Sequence, residues 1–372
     1  KEGRRKSGYW KQSEQKLDEN DPGEFVEIDL VNKIRPRVKK WRESGYPNVS
    51  PTTKRLLNFW KDPEEREQNQ TPFFCQFEAV ETAIWFVESL ESEKQGINIP
   101  TDGEWVRECL KLATGTGKTV IMSMLIAWNV LNKVANPRDA RFSKNILIVA
   151  PGITVKDRLS VLLPSQEDNF YKDFRIVNDE MWKQLLQAKI VIINWHNLAE
   201  KSDPKKNTVL KRGEESNEAF CKRVLKDFGD AKNILVINDE AHHCWRVTEE
   251  KDKDEKATIW VEGLDKIHDA RGILKTYDLS ATPFRPSGTG KQEEKLFPWI
   301  VCDFGLNDAI ESGLVKTPRV AIRDDATIGG DLKSKFFHLY SHVKDDLNRR
   351  VDENAGLPDL VSSAISILGI DW

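Results

Sequence analysis

The sequence predicts an α/β fold in which helices cover both faces of a parallel sheet, preceded by a mainly helical N-terminal extension. Short apolar runs of strand length recur along the chain and alternate with helical patterns, which is the order that gives parallel sheets. Glycine-rich or acidic residues directly follow several of these runs, at the position where open parallel sheets bind their ligands. The segment before residue 71 is polar and rich in charged residues, so it is predicted to lie outside the sheet.

The extension, residues 1–70, is predicted to contain a helix that packs on the rest of the protein. Its apolar residues Val31, Ile34, Val38 and Trp41 recur at helical spacing and would form the packed face. The same stretch carries a basic cluster made of Arg35, Arg37, Lys39, Lys40 and Arg42. A solvated helix face is the favoured interpretation of this cluster, and contact with nucleic acid is the alternative.

The main domain is predicted to span residues 71–318 and to contain five parallel strands. The candidate strands are residues 108–113, 145–150, 188–194, 233–238 and 275–280. Two long polar insertions interrupt this pattern, at residues 201–230 and 246–256. The second insertion has mixed charge and is predicted to be solvated surface.

The stretch from Leu112 to Thr119 is the most informative in the chain. It follows an apolar run, contains Gly115 and Gly117, and precedes a helical pattern that begins near Lys118. Strand, glycine turn and helix form the context of a phosphate-binding loop, in which backbone N–H groups and the helix N terminus face the phosphates. Lys118 would reach the β and γ phosphates, and Thr119 would place its hydroxyl on magnesium. The strict pattern has glycine where Leu112 stands.

Two further strand ends carry groups suited to nucleotide chemistry. An acidic pair, Asp239 and Glu240, follows the apolar run at 233–238. Asp239 is suited to hold hydrated magnesium and Glu240 to orient and deprotonate an attacking water, although an acidic helix N terminus is the alternative. A third strand end supplies Ser280 and Thr282, which by themselves indicate only a turn.

Together the three motifs resemble the first motor lobe of superfamily-two helicases and translocases of the DEAH type. The sequence of residues 113–119, with an apolar residue before it, is similar to the loop sequence in the branch that contains the Res subunit of type III restriction enzymes. The resemblance implies a RecA-like lobe of the P-loop NTPase class that binds ATP and Mg²⁺. It places ATP on the loop residues Thr114, Gly115, Thr116, Gly117, Lys118 and Thr119.

The resemblance also implies roles for residues outside the loop. Gln76 corresponds to the glutamine that reads adenine, and its amide can both donate to and accept from a base. Many relatives have arginine and tyrosine just before that glutamine, where Phe74 and Cys75 stand here. By the same analogy, His242 couples the state of the nucleotide to the turn that contains Ser280 and Thr282.

Contact with DNA, and with duplex DNA in particular, is the next implication of the resemblance. Pro151, Gly152 and Thr154 match one backbone-contacting segment of such motors, and Asn194 matches the next. Contacts of this kind read phosphates rather than sequence. Pro151 and Gly152 are equally typical of a turn that ends a strand.

The family pattern includes a second lobe that supplies a glutamine and arginines across the γ-phosphate, and no such segment is recognised after residue 318. Residues 319–372 are therefore predicted to connect to a second lobe. Their apolar residues form an amphipathic helical stripe of Leu357, Leu360, Val361, Ala364, Ile365 and Leu368. Weak or absent ATPase activity is expected of the chain without that second lobe. A nuclease domain and a modification subunit are further partners that the resemblance implies.

Composition restricts the remaining possibilities. The net charge is −3, so nucleic-acid contact would depend on local loops rather than on a global positive field. Five scattered cysteines lack zinc-site spacing and suggest reduced thiols in a cytoplasmic protein. No apolar run is long enough for a membrane span.

Two alternatives to a DNA motor stay open. One is a superfamily-two ATPase that acts on RNA or remodels complexes, and the other is a module that binds nucleotide or nucleic acid without hydrolysis.

Overall fold

The computed structural model describes residues 4–11, 23–66, 71–199, 215–247, 254–287 and 293–316, together with 361, 362 and 365. The chain divides into two compact units, Lys1–Val315 and Lys316–Trp372. Most of the predicted connecting segment, and all of its apolar stripe except Val361 and Ile365, lies outside the described residues.

Between Arg107 and Ser280 each strand is separated from the next by one or more helices, as the sequence predicts. The strands are β1 (Gly8–Lys11), β2 (Glu24–Glu27), β3 (Arg107–Leu112), β4 (Asn145–Ala150), β5 (Lys189–Asn194), β6 (Ile234–Asp239), β7 (Ile273–Ser280), β8 (Phe284–Ser287), β9 (Glu293–Leu296) and β10 (Ile300–Phe304). The helices are α1 (Asp29–Glu43), α2 (Pro51–Lys61), α3 (Phe74–Glu88), α4 (Glu91–Lys94), α5 (Lys118–Ala135), α6 (Ile153–Arg158), α7 (Phe170–Asp173), α8 (Asp179–Leu185), α9 (Asn217–Val224), α10 (Glu255–Arg271) and α11 (Leu306–Glu311).

The central sheet has six strands in the spatial order β10-β3-β7-β6-β4-β5. Every neighbouring pair is parallel, so the predicted α/β fold with a parallel sheet is confirmed. The five predicted strands are found within two residues of their expected bounds. β10, at the sheet edge beside β3, is a sixth strand that the sequence analysis missed.

The two faces of the sheet carry separate apolar cores. Ile146 and Ile148 of β4 pack into a core with α3 and α5, whereas Leu147 and Val149 of the same strand pack with Trp260 of α10. This alternation is the period of two expected for a strand covered on both sides. Helices therefore cover both faces, as the sequence predicts.

The N-terminal extension contains the predicted helical region and packs on the sheet. Val31, Ile34, Val38 and Trp41 of α1 are all buried, which confirms the packed face. The short hairpin of β1 and β2 precedes this helix. No described helix is both long and apolar enough to cross a lipid bilayer.

The predicted solvated face is wrong for three members of the basic cluster. Arg35 donates to the carbonyl of Asp303, and Arg37 donates to the backbone carbonyls of residues 93 and 95. Arg42 donates from Nε to both oxygens of the buried Glu81 carboxylate, at 2.9 and 2.8 Å. Only Lys39 and Lys40 are exposed. Arg35 and Arg42 lie at the interface because α1 packs on α3 and the sheet edge, where buried carboxylate and carbonyl groups need donors. Arg37 instead contacts the C-terminal end of α4.

The first polar insertion, residues 201–230, is only partly described, and its described part is structured. Residues 217–224 form α9, which buries Phe220, Cys221 and Val224 in the core beside α10. Its polar composition concealed three apolar residues at helical spacing. Residues 248–253 of the second insertion lie outside the described residues.

The ion pair between Arg42 and Glu81 gives a test of how the extension is held. Arg42→Ala leaves a fully buried carboxylate without its main partner, so we expect the free energy of unfolding to fall by about 3 kcal/mol. Lys39→Ala on the same helix removes only an exposed pair with Glu43 and should change it by less than about 0.5 kcal/mol. Denaturant unfolding measures both. Equal stability of the two variants would show that this pair does not anchor the extension.

Candidate nucleotide site

The register of the parallel strands brings three strand ends to the same level. Lys111 of β3 is paired with Ser280 of β7, and Leu279 of β7 is paired with Asp239 of β6. The residues that follow β3 and β6 therefore leave the sheet side by side, with Ser280 between them. This edge holds the loop at 113–117, the acidic pair and the Ser280 turn.

The loop between β3 and α5 has the backbone of a phosphate-binding turn. Gly115 and Gly117 have φ values of +85° and +81°, a region that favours glycine. The hydroxyl of Thr116 donates to the carbonyl of Ala113 at 2.7 Å and closes the turn, while Thr114 and Gly115 are exposed. Since α5 begins at Lys118 directly after Gly117, its first N–H groups face the same opening.

Leu112, which departs from the strict loop pattern, is explained by its position in the core. It is the last residue of β3 and is fully buried among the side chains that cover the α5 face of the sheet. The following residue, Ala113, donates its N–H to the carbonyl of Phe304 in the edge strand. The loop thus starts one residue after a core position, and an apolar side chain is stable there.

Gln76 lies directly against the loop. Its Nε2 donates to the carbonyl of Thr116 at 2.9 Å, and its Oε1 accepts from the N–H of Phe73 at 2.9 Å. The side chain is 3% exposed, whereas Phe73 and Phe74 beside it are 45% and 56% exposed. Gln76 therefore fixes the loop backbone, and the exposed groups next to it are aromatic.

Glu240 lies opposite the loop in a left-handed backbone conformation. Its φ is +48° and its ψ is 51°, which is uncommon for a residue with a side chain. This conformation turns the chain sharply after β6. It leaves the Glu240 carboxylate 3.4 Å from Nζ of Lys118.

Asp239 occupies the last position of β6 and is largely buried. Burial, and secondarily the charge of the adjacent Glu240, raise the pKa of Asp239 to about 6, while Lys118 acts in the opposite direction. Asp239 and Glu240 are adjacent carboxylates that repel each other when both are ionised. A divalent cation bound beside them would reduce this repulsion. Thr119, in the first turn of α5, is half-buried at the same edge.

His242 connects Glu240 to the Ser280 turn. A hydrogen bond of 3.0 Å joins its Nδ1 to Oγ of Ser280, and the same nitrogen lies 3.5 Å from Oε2 of Glu240. Burial lowers the pKa of His242, so the neutral ring is favoured. Thr282 is exposed and contacts Ser280 through its backbone N–H rather than through its hydroxyl.

The residues predicted to contact nucleic acid follow β4 and β5 at the same edge of the sheet. Ala150 and Asn194 are in register, so Pro151, Gly152 and Thr154 lie beside the end of β5. Pro151 and Gly152 are half-buried and Thr154 is exposed. Asn194, by contrast, is only 8% exposed.

The sequence analysis did not single out three polar residues within the strands, Arg107, Asn238 and Asp278. All three are buried and joined by hydrogen bonds beneath the Glu240 turn. Their one sequence signal is a charged or amide side chain within a strand of a sheet that is covered on both faces, where such groups need partners.

The family comparison covers the part of the chain that contains these elements. The family model described as type III restriction enzyme, res subunit, matches residues 70–285. This range includes Gln76, the phosphate-binding loop, the acidic pair and Ser280. A search among curated proteins gave no match. Because the family model matches more than half of the chain, the protein belongs to the family of type III restriction enzyme Res subunits, and its parallel sheet is the ATP-binding P-loop lobe of a helicase-like motor.

Proposed function

We propose that this chain provides the first RecA-like lobe, residues 71–318, of an ATP-dependent DNA translocase or helicase of the DEAH type. The observation that supports this most directly is the chain of contacts from Lys118 through Glu240 and His242 to Ser280. It connects a phosphate-binding loop, a carboxylate base and a neighbouring strand end. A protein that only binds phosphate would need the loop but not the carboxylate or its connection to the next strand end.

ATP would lie over the loop with its phosphates on the N–H groups of residues 114–119 and on Lys118. The base would lie beside Gln76, with the exposed rings of Phe73 and Phe74 as stacking surfaces. Because both polar ends of Gln76 already contact the protein, we propose that this residue connects base binding to the position of the loop. Its contact with Thr116 is the physical link.

Mg²⁺ would be held by the hydroxyl of Thr119 and the carboxylate of Asp239, both oxygen donors of the kind that this ion prefers. When bound, it would neutralise charge that develops on the phosphates. Ionised Asp239 is required for this role; burial raises its pKa to about 6, and a bound cation would favour the charged form.

Glu240 would orient the attacking water and accept its proton. Lys118 is paired with Glu240. Phosphate oxygens would draw Lys118 away and leave the carboxylate free to act as a base. His242 would carry this change to Ser280 and, through the turn backbone, to Thr282.

DNA would contact the loops after β4 and β5, through Pro151, Gly152, Thr154 and the turn that begins at Asn194. Since Asn194 is mostly buried, its contribution would be to shape the turn more than to bind phosphate. The proposal further implies a second RecA-like lobe that supplies arginines to the γ-phosphate. A nuclease domain and a modification subunit would be the partners in restriction.

Substitution of Lys118 or Glu240 tests the hydrolysis proposal in the intact protein. We expect Lys118→Ala to lose ATP binding, and Glu240→Gln to keep binding while the rate of DNA-stimulated hydrolysis falls by at least about 100-fold. Glu262→Gln, an exposed position on α10, is the control and should hydrolyse at the parental rate. Phosphate release and fluorescent-nucleotide titration provide the two measurements. Parental hydrolysis by Glu240→Gln would end the proposal.

A methyl group at Gly117 tests the loop geometry. A Cβ atom at this position would lie 2.2 Å from Nε2 of Gln76, and the φ of +81° disfavours any side chain. We therefore expect Gly117→Ala to weaken ATP binding by about 10-fold or more, because a clash and a strained backbone of this kind cost 1–3 kcal/mol, roughly. Gly152→Ala meets no atom within 4 Å and should bind ATP normally. Tight binding by both variants would show that the loop adapts freely.

A negative charge at Thr154 tests the DNA interface. Thr154→Glu should weaken duplex DNA binding by about 10-fold at moderate salt through repulsion of phosphates, with basal hydrolysis unchanged. Gln187→Glu adds the same charge near the opposite end of β5, where Gln187 is exposed, and should have no effect. Binding is measured by anisotropy with duplex DNA and with RNA. Equal binding by the two variants would place the interface elsewhere, and stimulation by RNA alone would favour an RNA-dependent ATPase.

A further inference from the structure

A buried polar network lies beneath the turn that carries Glu240. Arg107, near the start of β3, is 1% exposed and makes three separate contacts. Its Nε donates to Oδ2 of Asp278 at 2.9 Å, its Nη1 to Oδ2 of Asp102 at 3.0 Å, and its Nη2 to the backbone carbonyl of Cys244 at 2.6 Å. The guanidinium thus joins β3, β7 and the segment after Glu240.

Asp278 is the centre of this network. Its Oδ1 accepts from Nδ2 of Asn238 at 2.8 Å, and its Oδ2 accepts from Nε1 of Trp299 at 2.9 Å as well as from Arg107. Asn238 in turn accepts from Nε1 of Trp260 at 3.1 Å. Because donors from three directions converge on one carboxylate, its position is determined by geometry and not only by charge.

The network holds both ends of the Glu240 turn. Asn238 lies two residues before Glu240, and Cys244 lies just after the single turn of 3-10 helix at Ala241–His243. Both are fixed to the same pair, Asn238 by Asp278 and Cys244 by Arg107. Glu240, with its left-handed conformation, lies between these two fixed residues. Arg107 and Asp278 therefore set the distance that the chain must cover in this turn.

The same pair also fixes the far side of the site. Asp278 lies two residues before Ser280 on β7, and residues two apart point to the same face of a strand. Ser280 accepts or donates the hydrogen bond to His242, which follows Glu240 by two residues. Both partners of the contact between His242 and Ser280 are therefore positioned relative to Asp278.

An ion pair this deeply buried is not explained by stability alone. Charges removed from water are costly, and apolar residues of similar size often replace buried pairs without loss of stability. Only arginine presents a rigid fork that can contact Asp278, Asp102 and a carbonyl at once, since lysine has a single ammonium group. The arrangement therefore depends on the planar guanidinium group, whose N–H donors point in fixed directions.

We infer that Arg107 and Asp278 are positioning residues that hold Glu240 and the contact between His242 and Ser280 in the geometry required for hydrolysis. The inference rests on the proposed function, because it takes Glu240 to be the base. Neither residue touches the nucleotide loop directly in any described contact. Their loss should therefore affect the rate of hydrolysis and leave nucleotide affinity largely unchanged.

The test uses Arg107→Lys and Asp278→Asn in the intact protein, with two matched controls. Arg42→Lys is the same substitution in another arginine–carboxylate pair, with the buried Glu81. Glu108→Gln neutralises a buried carboxylate in β3 that pairs with Lys275 of β7, so it joins the same two strands without contact to the Glu240 turn. Nucleotide affinity, hydrolysis per bound nucleotide and thermal midpoint are measured for all four.

We expect hydrolysis per bound nucleotide to fall at least about 10-fold in Arg107→Lys and Asp278→Asn, since small displacements of a catalytic group are costly. Nucleotide affinity should stay within about twofold, and both controls should hydrolyse normally even where their thermal midpoints fall. Parental hydrolysis per bound nucleotide in Arg107→Lys would overturn the inference.

Amide hydrogen exchange in the nucleotide-free protein decides the positioning claim without any hydrolysis measurement. Arg107→Lys should raise exchange in peptides that cover residues 238–247 and leave residues 114–122 unchanged, because only the former segment is fixed by the guanidinium. Arg42→Lys should change neither. Unchanged exchange at 238–247 would overturn the inference. If the exchange pattern is as expected but the parental protein does not hydrolyse ATP, the result would count against the proposed function alone.

Discussion

The parallel register of β3, β7 and β6 is the constraint on which the site depends. Lys111 pairs with Ser280, and Leu279 pairs with Asp239, so three chain segments leave the sheet at one level. A shift of one residue in any of these strands would turn its side chains to the opposite face. The separate cores on the two faces of the sheet oppose such a shift, because each strand buries apolar residues on both sides. Apolar packing therefore determines where the residues of the proposed catalytic site lie.

The N-terminal extension covers the edge strand of the sheet and at the same time supports the nucleotide site. The carbonyl of Asp303 in β10 accepts from Arg4 and Arg35, and its carboxylate contacts Ser7 and Lys111. An edge strand covered in this way is protected from pairing with other chains. Arg4 also pairs with Glu78, which lies two residues after Gln76 in α3. The extension thus holds both the outermost strand and the helix that positions the loop.

The sequence predicts the elements whose signal is local. β4, β5 and β6 are largely apolar runs, β3 and β7 lead directly into the glycine loop and the Ser280 turn, and the bounds of all five are found within two residues. No such motif follows β10, whose five residues include Asp303, and the burial of that carboxylate depends on Ser7 and Lys111 from distant parts of the chain. The roles of Arg35, Arg37 and Arg42 were missed for a related reason. A basic cluster on a helix has the same pattern whether water or buried acceptors face it, and only the packing of α1 on α3 distinguishes the two.

Within the site, the sequence identifies which residues lie together, but it does not show the backbone strain and buried charge that this arrangement requires. Three unfavourable features surround one turn: Glu240 is left-handed, the pKa of Asp239 is raised by burial, and the pair of Arg107 and Asp278 is removed from water. Such features persist only where the surrounding structure determines them, and they concentrate at functional sites. The packing of β6 between β7 and β4 supplies that support. In the proposed function Glu240 is the base. A carboxylate that is held by strain and buried charge needs little reorganisation when substrate arrives, which is the condition under which it is most effective.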